Sequence, residues 1–353
     1  MADTLNYKCP NCGGELKFDS DKQKMFCVFC DSEFEVSEFA AKDEELDTAK
    51  PKEKPEWQEG EQDGMFIYQC SHCGGEVVGD DTLAATTCPF CDMPVVLKSQ
   101  FRGDLKPEYV IPFKIKKDEA VARLAQFCKG KKLLPKSFLA NNRIESIKGL
   151  YVPFWLFDCN ADANMTYEAT RTSTWSDASY IYTKTDYYEI CREGSIAFDN
   201  IPIDGASKMD DAYMESIEPY NYDDMVEFQS AYLAGYLADK YDVDVAASTP
   251  RAEARIDASV KKMFSDTVKG FGSKRLVSSN INHKYGDKSY ALLPVWILST
   301  RYNNEIYTYA MNGQTGKFIG RLPIDKGKAR AYLLSIMSGI GLVAGLIASF
   351  IFL

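Results

Sequence analysis

The sequence predicts a multi-domain chain: two small cysteine-built ribbons in tandem, an α+β domain with an antiparallel sheet and a helical insertion, and one C-terminal transmembrane helix. Three observations carry that expectation. Eight of the eleven cysteines fall in four C-x-x-C pairs. The middle of the chain alternates between β-rich and helix-periodic segments. The last 23 residues carry no charge. At 353 residues the chain has length for a sizeable core and appended modules. Its 41 basic residues against 51 acids, a net charge of −10, argue against a protein whose main task is gripping phosphate backbones. Only two histidines are present, which removes most histidine-based catalysis.

The cysteines form an internal repeat. Cys9, Cys12, Cys27 and Cys30 make the first set, and Cys70, Cys73, Cys88 and Cys91 the second, each with 14 residues between its pairs. An offset of 61 aligns all four cysteines and also matches Tyr7 with Tyr68, Gly13 and Gly14 with Gly74 and Gly75, Phe29 with Phe90, and Asp31 with Asp92. Thiolates two residues apart reach one ion from a single tight turn, and four of them complete a tetrahedron around Zn²⁺. The expectation is two structural Zn²⁺ ions in two four-cysteine zinc ribbons, residues 5–38 and 66–100, each too small to fold without metal. Four sulfurs leave no open position for catalysis. Redox C-x-x-C pairs are the competing account, and His72 is a further candidate ligand inside the second set.

Residues 39–65 read as an acidic linker, with nine acids against four lysines in 41–64. The α+β domain is expected over 105–325. Tyr109–Ile115 suits a strand, and a helix should follow with Asp118 as N-cap and Val121, Leu124, Phe127 and Cys128 inward. Residues 151–198 alternate in polarity as antiparallel strands do. A helical insertion is expected at about 208–270. Its clearest member has Thr249 as N-cap, Pro250 at the first position, and Ile256, Val260, Met263, Phe264 and Val268 on one face. Val152-Pro-Phe-Trp-Leu-Phe157 and Leu293-Pro-Val-Trp-Ile-Leu298 echo each other. A shared core-strand pattern explains them; so does a duplicated hairpin.

Residues 331–353 are long enough to span a bilayer as a helix, and Lys326, Lys328 and Arg330 precede them. Positive flanks stay cytoplasmic, so a tail-anchored, single-pass membrane protein with a cytoplasmic N-terminal bulk is expected. Gly341, Gly345 and Ser349 lie at four-residue steps on that helix and would allow homo-oligomers. No catalytic residue emerges. Gly313-Gln-Thr-Gly-Lys-Phe318 has the wrong spacing for a P-loop and suits a hairpin turn. Asp158–Asn164 lacks the glycine and glutamate of a calcium loop. Cys128, Cys159 and Cys191 are expected to be buried apolar residues. Segment 114–148, with ten basic residues against three acids, suits anionic lipid, an acidic partner or a solvated face.

CPNCGG…CVFC, CSHCGG…CPFC, VIPFKI, GKKLLPK, YVPFWLFD, SKMDDAYMESIEPY, YLAGYLADKYDVD and MNGQTGKFIGRLPIDKG together resemble bacterial TFIIB-type zinc-ribbon membrane proteins. Members of that family are often labelled primosomal-helicase-like, although this chain has no nucleotide-binding motif. The resemblance implies association with SPFH-domain or phage-shock membrane-stress proteins. The function expected is thus a non-enzymatic membrane adaptor or scaffold that recruits cytoplasmic proteins. The alternative is a membrane-tethered nucleic-acid-binding accessory, which the acidic ribbons disfavour.

Overall fold

A computed structural model of the chain describes residues 9, 16–19, 22–27, 30–36, 54–58, 60–79, 87–101, 105–135, 146–302 and 305–351. The first ribbon is a three-stranded antiparallel sheet of β1 (Leu16–Asp19), β2 (Lys24–Cys27) and β3 (Glu33–Phe34). The second contributes β4 (Phe66–Cys70), β5 (Glu76–Gly79) and β6 (Val95–Gln100). Then come β7 (Tyr109–Val110), α1 (Lys117–Cys128), β8 (Lys148–Ser176), β9 (Ile181–Asp204), α2 (Asp211–Ser216), β10 (Val226–Glu227) and β11 (Leu237–Asp239). The chain continues through α3 (Val245–Thr267), β12 (Ser273–Tyr302), β13 (Glu305–Asn312), β14 (Phe318–Gly320) and α4 (Lys326–Ile351).

One large sheet organises the chain, in the order β10-β7-β12-β8-β11-β5-β4-β6, with β13 on β12 and β9 on β8. Its centre is the antiparallel pair β8 and β12, which places the two Pro-x-Trp segments side by side, with Leu293 opposite Val152. Their surroundings correspond bond for bond. Pro153 O accepts Gly205 N and Pro294 O accepts Gly313 N, each at 2.8 Å. Gly205 O receives the N–H groups of Asp242 and Val243, and Gly313 O those of Lys114 and Ile115. Trp155 donates Nε1–H to Val243 O and Trp296 donates its own to Ile115 O, both at 2.8 Å. A Cβ at Gly313 would come within 2.6 Å of Phe113, and one at Gly205 within 3.2 Å of Trp155 Nε1. The approach at Gly313 leaves room only for glycine, while at Gly205 the indole would have to give by a few tenths of an ångström.

The domain is therefore two β-α-β-β units, β7-α1-β8-β9 and β11-α3-β12-β13, and the echo is a structural duplication. Each unit lends its short first strand to the other: β7 runs parallel to β12, and β11 parallel to β8. This corrects the expected α+β domain with a helical insertion, because β10 and β11 lie inside 208–270 and pair into the sheet. Short strands flanked by helix give no periodic signal of their own.

Helix starts are also shifted. Asp244, not Thr249, caps α3, its Oδ1 accepting Ala247 N at 2.7 Å, while Thr249 Oγ1 donates back to Val245 O. Ile256, Val260, Phe264 and Val268 are buried as expected, but Met263 is exposed. The cap of α1 is Lys116, whose side chain makes no capping bond, and Asp118 sits in the first turn. Cys128 and Cys159 are buried, whereas Cys191 is exposed on β9. The described part of the expected linker reaches the core: Trp57 meets Phe101 and Phe228 edge to face, and Glu61 pairs with Lys106 at 2.9 Å.

The expected transmembrane helix is overturned: among the described residues no helix is long and apolar enough to cross a membrane. The first turn of α4 is polar and tied to the core. Lys328 Nζ donates to Leu134 O at 2.6 Å, and Asp325 Oδ1 accepts the N–H groups of Gly327 and Lys328. Association through Gly341, Gly345 and Ser349 loses its membrane setting with it; nothing lies within 4 Å of a Cβ placed at Gly341 or Gly345.

Trp155→Phe should cost about 1–3 kcal/mol, because Val243 O is left without its indole donor in a partly buried place. Trp296→Phe should cost a similar amount through Ile115 O. Urea unfolding of the two variants checks both, and losses well below that range would mean the indole bonds are incidental.

Candidate metal centre

The second cysteine set is built by two knuckles facing each other across β4–β6. Cys70 closes β4, and the chain folds back so that Gly74 N donates to Cys70 O and Cys70 N to Gly75 O, both at 2.9 Å. That turn needs a left-handed residue, supplied by Gly74 at φ +73°. The facing knuckle repeats the pattern, with Asp92 N bonded to Cys88 O at 2.9 Å and Cys88 N to Met93 O at 2.7 Å. Here Asp92, at φ +61°, takes the left-handed position, as Asp31 does at φ +56° in the first ribbon. The matched aspartates of the repeat thus have a backbone role, which aspartate tolerates better than most side chains. Gly75 is constrained differently: a Cβ there would lie 2.7 Å from the Phe90 ring.

These turns bring Cys70, Cys73, Cys88 and Cys91 together, all four sulfurs within 4.8 Å of one another. Cys70 Sγ lies 3.5 Å from Cys91 Sγ, and Cys73 Sγ 3.6 Å from Cys88 Sγ. A tetrahedral thiolate site with ~2.3 Å metal–sulfur distances has edges of ~3.8 Å, so the geometry fits a metal ion. All are free cysteines. In the first ribbon Cys9, Cys27 and Cys30 converge in the same way, with Cys9 Sγ 3.5 Å from Cys30 Sγ. Cys12 lies outside the described residues. His72 is exposed and outside the cluster. Among the described residues, only these two groups gather three or more metal-ligating side chains.

The two sets are mounted differently. The first ribbon rests on the core through a small apolar cluster, Leu16, Phe18 and Met25 against Ala231 and Tyr232, with Gln23 Nε2 donating to Phe113 O at 3.0 Å. The second is continuous with the main sheet, since β5 pairs with β11, Val78 opposite Ala238 and Val77 opposite Asp239. Two cations face it, Lys148 at the end of the basic segment and Lys208, which the sequence did not single out. Lys148 donates to Thr87 O and Thr87 Oγ1, and Lys208 Nζ to Cys73 O at 3.1 Å. Four thiolates around a divalent ion leave two net negative charges, which two lysines complement. Burial pulls Lys148 down to about 8. The rest of the basic segment is partly engaged too: Lys114 pairs with Asp224 at 2.6 Å and Lys116 with Asp19 at 3.4 Å.

Across 98% of this chain and 97% of its own length, the uncharacterized protein YdjG of Bacillus subtilis (strain 168) is 35% identical over 344 residues. The chain belongs to the YdjG family. No family model matches the chain, and no solved structure matches it. The YdjG-family fold therefore rests on the two duplicated units and the cysteine ribbons described above.

Within this member of the YdjG family the sulfurs are not equivalent. Burial raises the Cys70 thiol, but the backbone N–H groups of Cys73 and His72, together with the Cys91 and Cys73 thiols, outweigh it and bring Cys70 down to about 7. Burial dominates at Cys91, pushed up to about 11, and still more at Cys88. Without metal the set therefore holds protons at neutral pH, and loading must expel them. Metal affinity of the second set should rise with pH between about 6 and 8, with protons released on binding. Competitive chelator titration in buffers of different ionisation enthalpy measures both; a pH-independent affinity would contradict this assignment.

Proposed function

We propose that the chain is a non-enzymatic adaptor that recruits other proteins, its fold clamped by two structural Zn²⁺ ions. Cys70, Cys73, Cys88 and Cys91 would hold one ion, and Cys9, Cys12, Cys27 and Cys30 the other. Closed thiolate sets favour zinc and leave no position for a substrate or water. Bound zinc supplies a rigid crosslink, and the knuckles do the rest: they fix β4, β5 and β6 as an extension of the main sheet.

The observation that carries the adaptor reading is the tip of the β8–β9 hairpin. β12 begins at Ser273, opposite Thr170, so residues 171–186 project as a two-stranded ribbon. Trp175 stacks on Tyr182 at 5.6 Å, and Tyr182 Oη donates to Asp177 Oδ2 at 2.8 Å. Asp177 Oδ1 also accepts the N–H groups of Ser179 and Tyr180, which ties down the turn. Trp175 is 52% exposed, Tyr180 68% and Ile181 78%. Held aromatics on a protruding ribbon suit the centre of a protein interface, where tryptophan and tyrosine dominate the binding energy. The resemblance points to SPFH-domain or phage-shock-type proteins as the partners. The ribbons' net acidity does not favour a nucleic-acid role.

Trp175→Ala with Tyr182→Ala should leave folding and metal content unchanged and abolish crosslinking to partners that the wild type captures. Metal analysis of the reduced protein should give two zinc ions per chain. Unchanged crosslinking in the double variant, or submicromolar DNA binding with a steep salt dependence, would overturn the proposal.

A further inference from the structure

The repeated cysteine sets supply a matched comparison. Cys9 with Cys30 and Cys70 with Cys91 are corresponding pairs, each 21 residues apart in the chain and 3.5 Å apart between sulfurs. Their surroundings differ. Cys70, Cys88 and Cys91 are buried and Cys73 is half-buried, whereas Cys30 is exposed, with the buried Cys9 behind it. Ser32 Oγ lies 3.1 Å from Cys30 Sγ, and Met93 holds the matching place in the second ribbon. A thiolate cannot donate, so toward a metal-bound Cys30 the hydroxyl is the donor. Thiolate character and access together decide where an oxidant strikes a cysteine. Of the two sets, the first offers both on one sulfur.

The same ribbon is the less firmly seated of the two. Backbone pairing of β5 with β11 joins the second ribbon to the main sheet. The strands β1, β2 and β3 form a sheet of their own, and among the described residues none of them pairs with a core strand. The first ribbon meets the core through side chains instead. Phe18 stands edge to face with Tyr232 at 5.3 Å, Gln23 reaches Phe113 O, and Asp19 pairs with Lys116 at 3.4 Å. Its seat is thus the turn before α1 together with residues 230–236. In that segment the amides of Tyr232, Ala234 and Tyr236 bond to carbonyls a few residues back, so their protection from exchange depends on what covers them. A ribbon this small folds with its metal, so losing the metal should uncover the seat.

Resting on the reading that both sets hold zinc, we propose that the first ribbon is a hydroperoxide-sensitive latch. Oxidation joins Cys9 to Cys30, releases the ion of the first set and frees the ribbon from its seat, while the second set stays loaded. The Cys30 thiolate attacks the O–O bond, keeps one oxygen as a sulfenic acid and expels the other as hydroxide or alkoxide, which takes a proton from solvent. The Cys9 thiolate then attacks the Cys30 sulfur and displaces hydroxide, which is protonated to water. Two thiolates have lost two electrons, and the hydroperoxide has taken them with two protons. The ribbon keeps two of its four ligands, too few for a closed tetrahedral site. Cys91, with the same spacing and the same sulfur distance to its partner, is out of reach of the oxidant.

The test is treatment of the reduced, zinc-loaded full chain with hydrogen peroxide, in a Cys191→Ser background that removes the exposed thiol outside both sets. A chromogenic chelator follows zinc, peptide mass mapping follows cysteine pairing, and amide hydrogen exchange follows residues 230–236. One ion should leave roughly tenfold or more faster than the other, as the difference in thiolate access implies. A Cys9–Cys30 disulfide and lost protection at 230–236 should appear with it. Dithiothreitol with added zinc should reverse all three changes; it does not repair methionine sulfoxide, so reversal assigns them to the disulfide. Release of both ions at one rate, a disulfide between other cysteines, or unchanged protection at 230–236 after the first ion is lost overturns the proposal. In those cases two zinc ions before treatment leave the reading beneath it intact, whereas fewer than two would overturn both.

Discussion

Everything in this molecule hangs on the antiparallel pairing of β8 with β12 at their two Pro-x-Trp segments. A proline removes a donor from each strand but leaves its carbonyl to accept. The chain uses that carbonyl twice in the same way: it accepts from a glycine of the following hairpin, and the glycine carbonyl accepts from the turn that opens a helix. Each tryptophan then locks that turn by donating its indole N–H to it. Helices α1 and α3 are thereby placed by backbone bonds before any side-chain packing is considered. The aromatic groups around them, Phe113 stacked on Tyr236 at 4.1 Å and Trp155 edge to face with Tyr241, fill in the remaining space.

From that centre the two ends of the sheet diverge in purpose. Past Asp158 the ladders of β8 with both neighbours shift register, and beyond it β8, β9 and β12 continue as an arm covered on one face by Ile256, Val260 and Phe264 of α3. Toward β11 the sheet passes instead into the second cysteine ribbon. The second cysteine set is thus no pendant finger but sits on the lateral edge of the main sheet.

Legibility in the sequence followed the range of the interactions. The knuckles were readable because C-x-x-C geometry is local, and seven of the eight cysteines converge as their spacing implies. The inner face of α3 was readable from its period, apart from Met263, which sits at the boundary of the stripe. The pairing of Val77 with Asp239 was not, because 162 residues separate them and nothing local announces a three-residue strand. The duplication was visible only as the tryptophan echo; its partner segments, 110–115 and 238–243, share almost no side chains and correspond through backbone bonds. The apolar run at 331–353 was legible as composition, but the polar, core-tied first turn of α4 depends on contacts with Leu133 and Leu134.

The central claim is that the second metal set orders the sheet from its edge inward. Amide hydrogen exchange on the full chain, with metal and after chelation, tests this most directly. The account predicts that chelation removes protection from β4, β5 and β6 and lowers it at Leu237–Asp239, while the β12–β13 ladder around Trp296 stays protected. Unchanged protection at β11 after the metal is removed would contradict it.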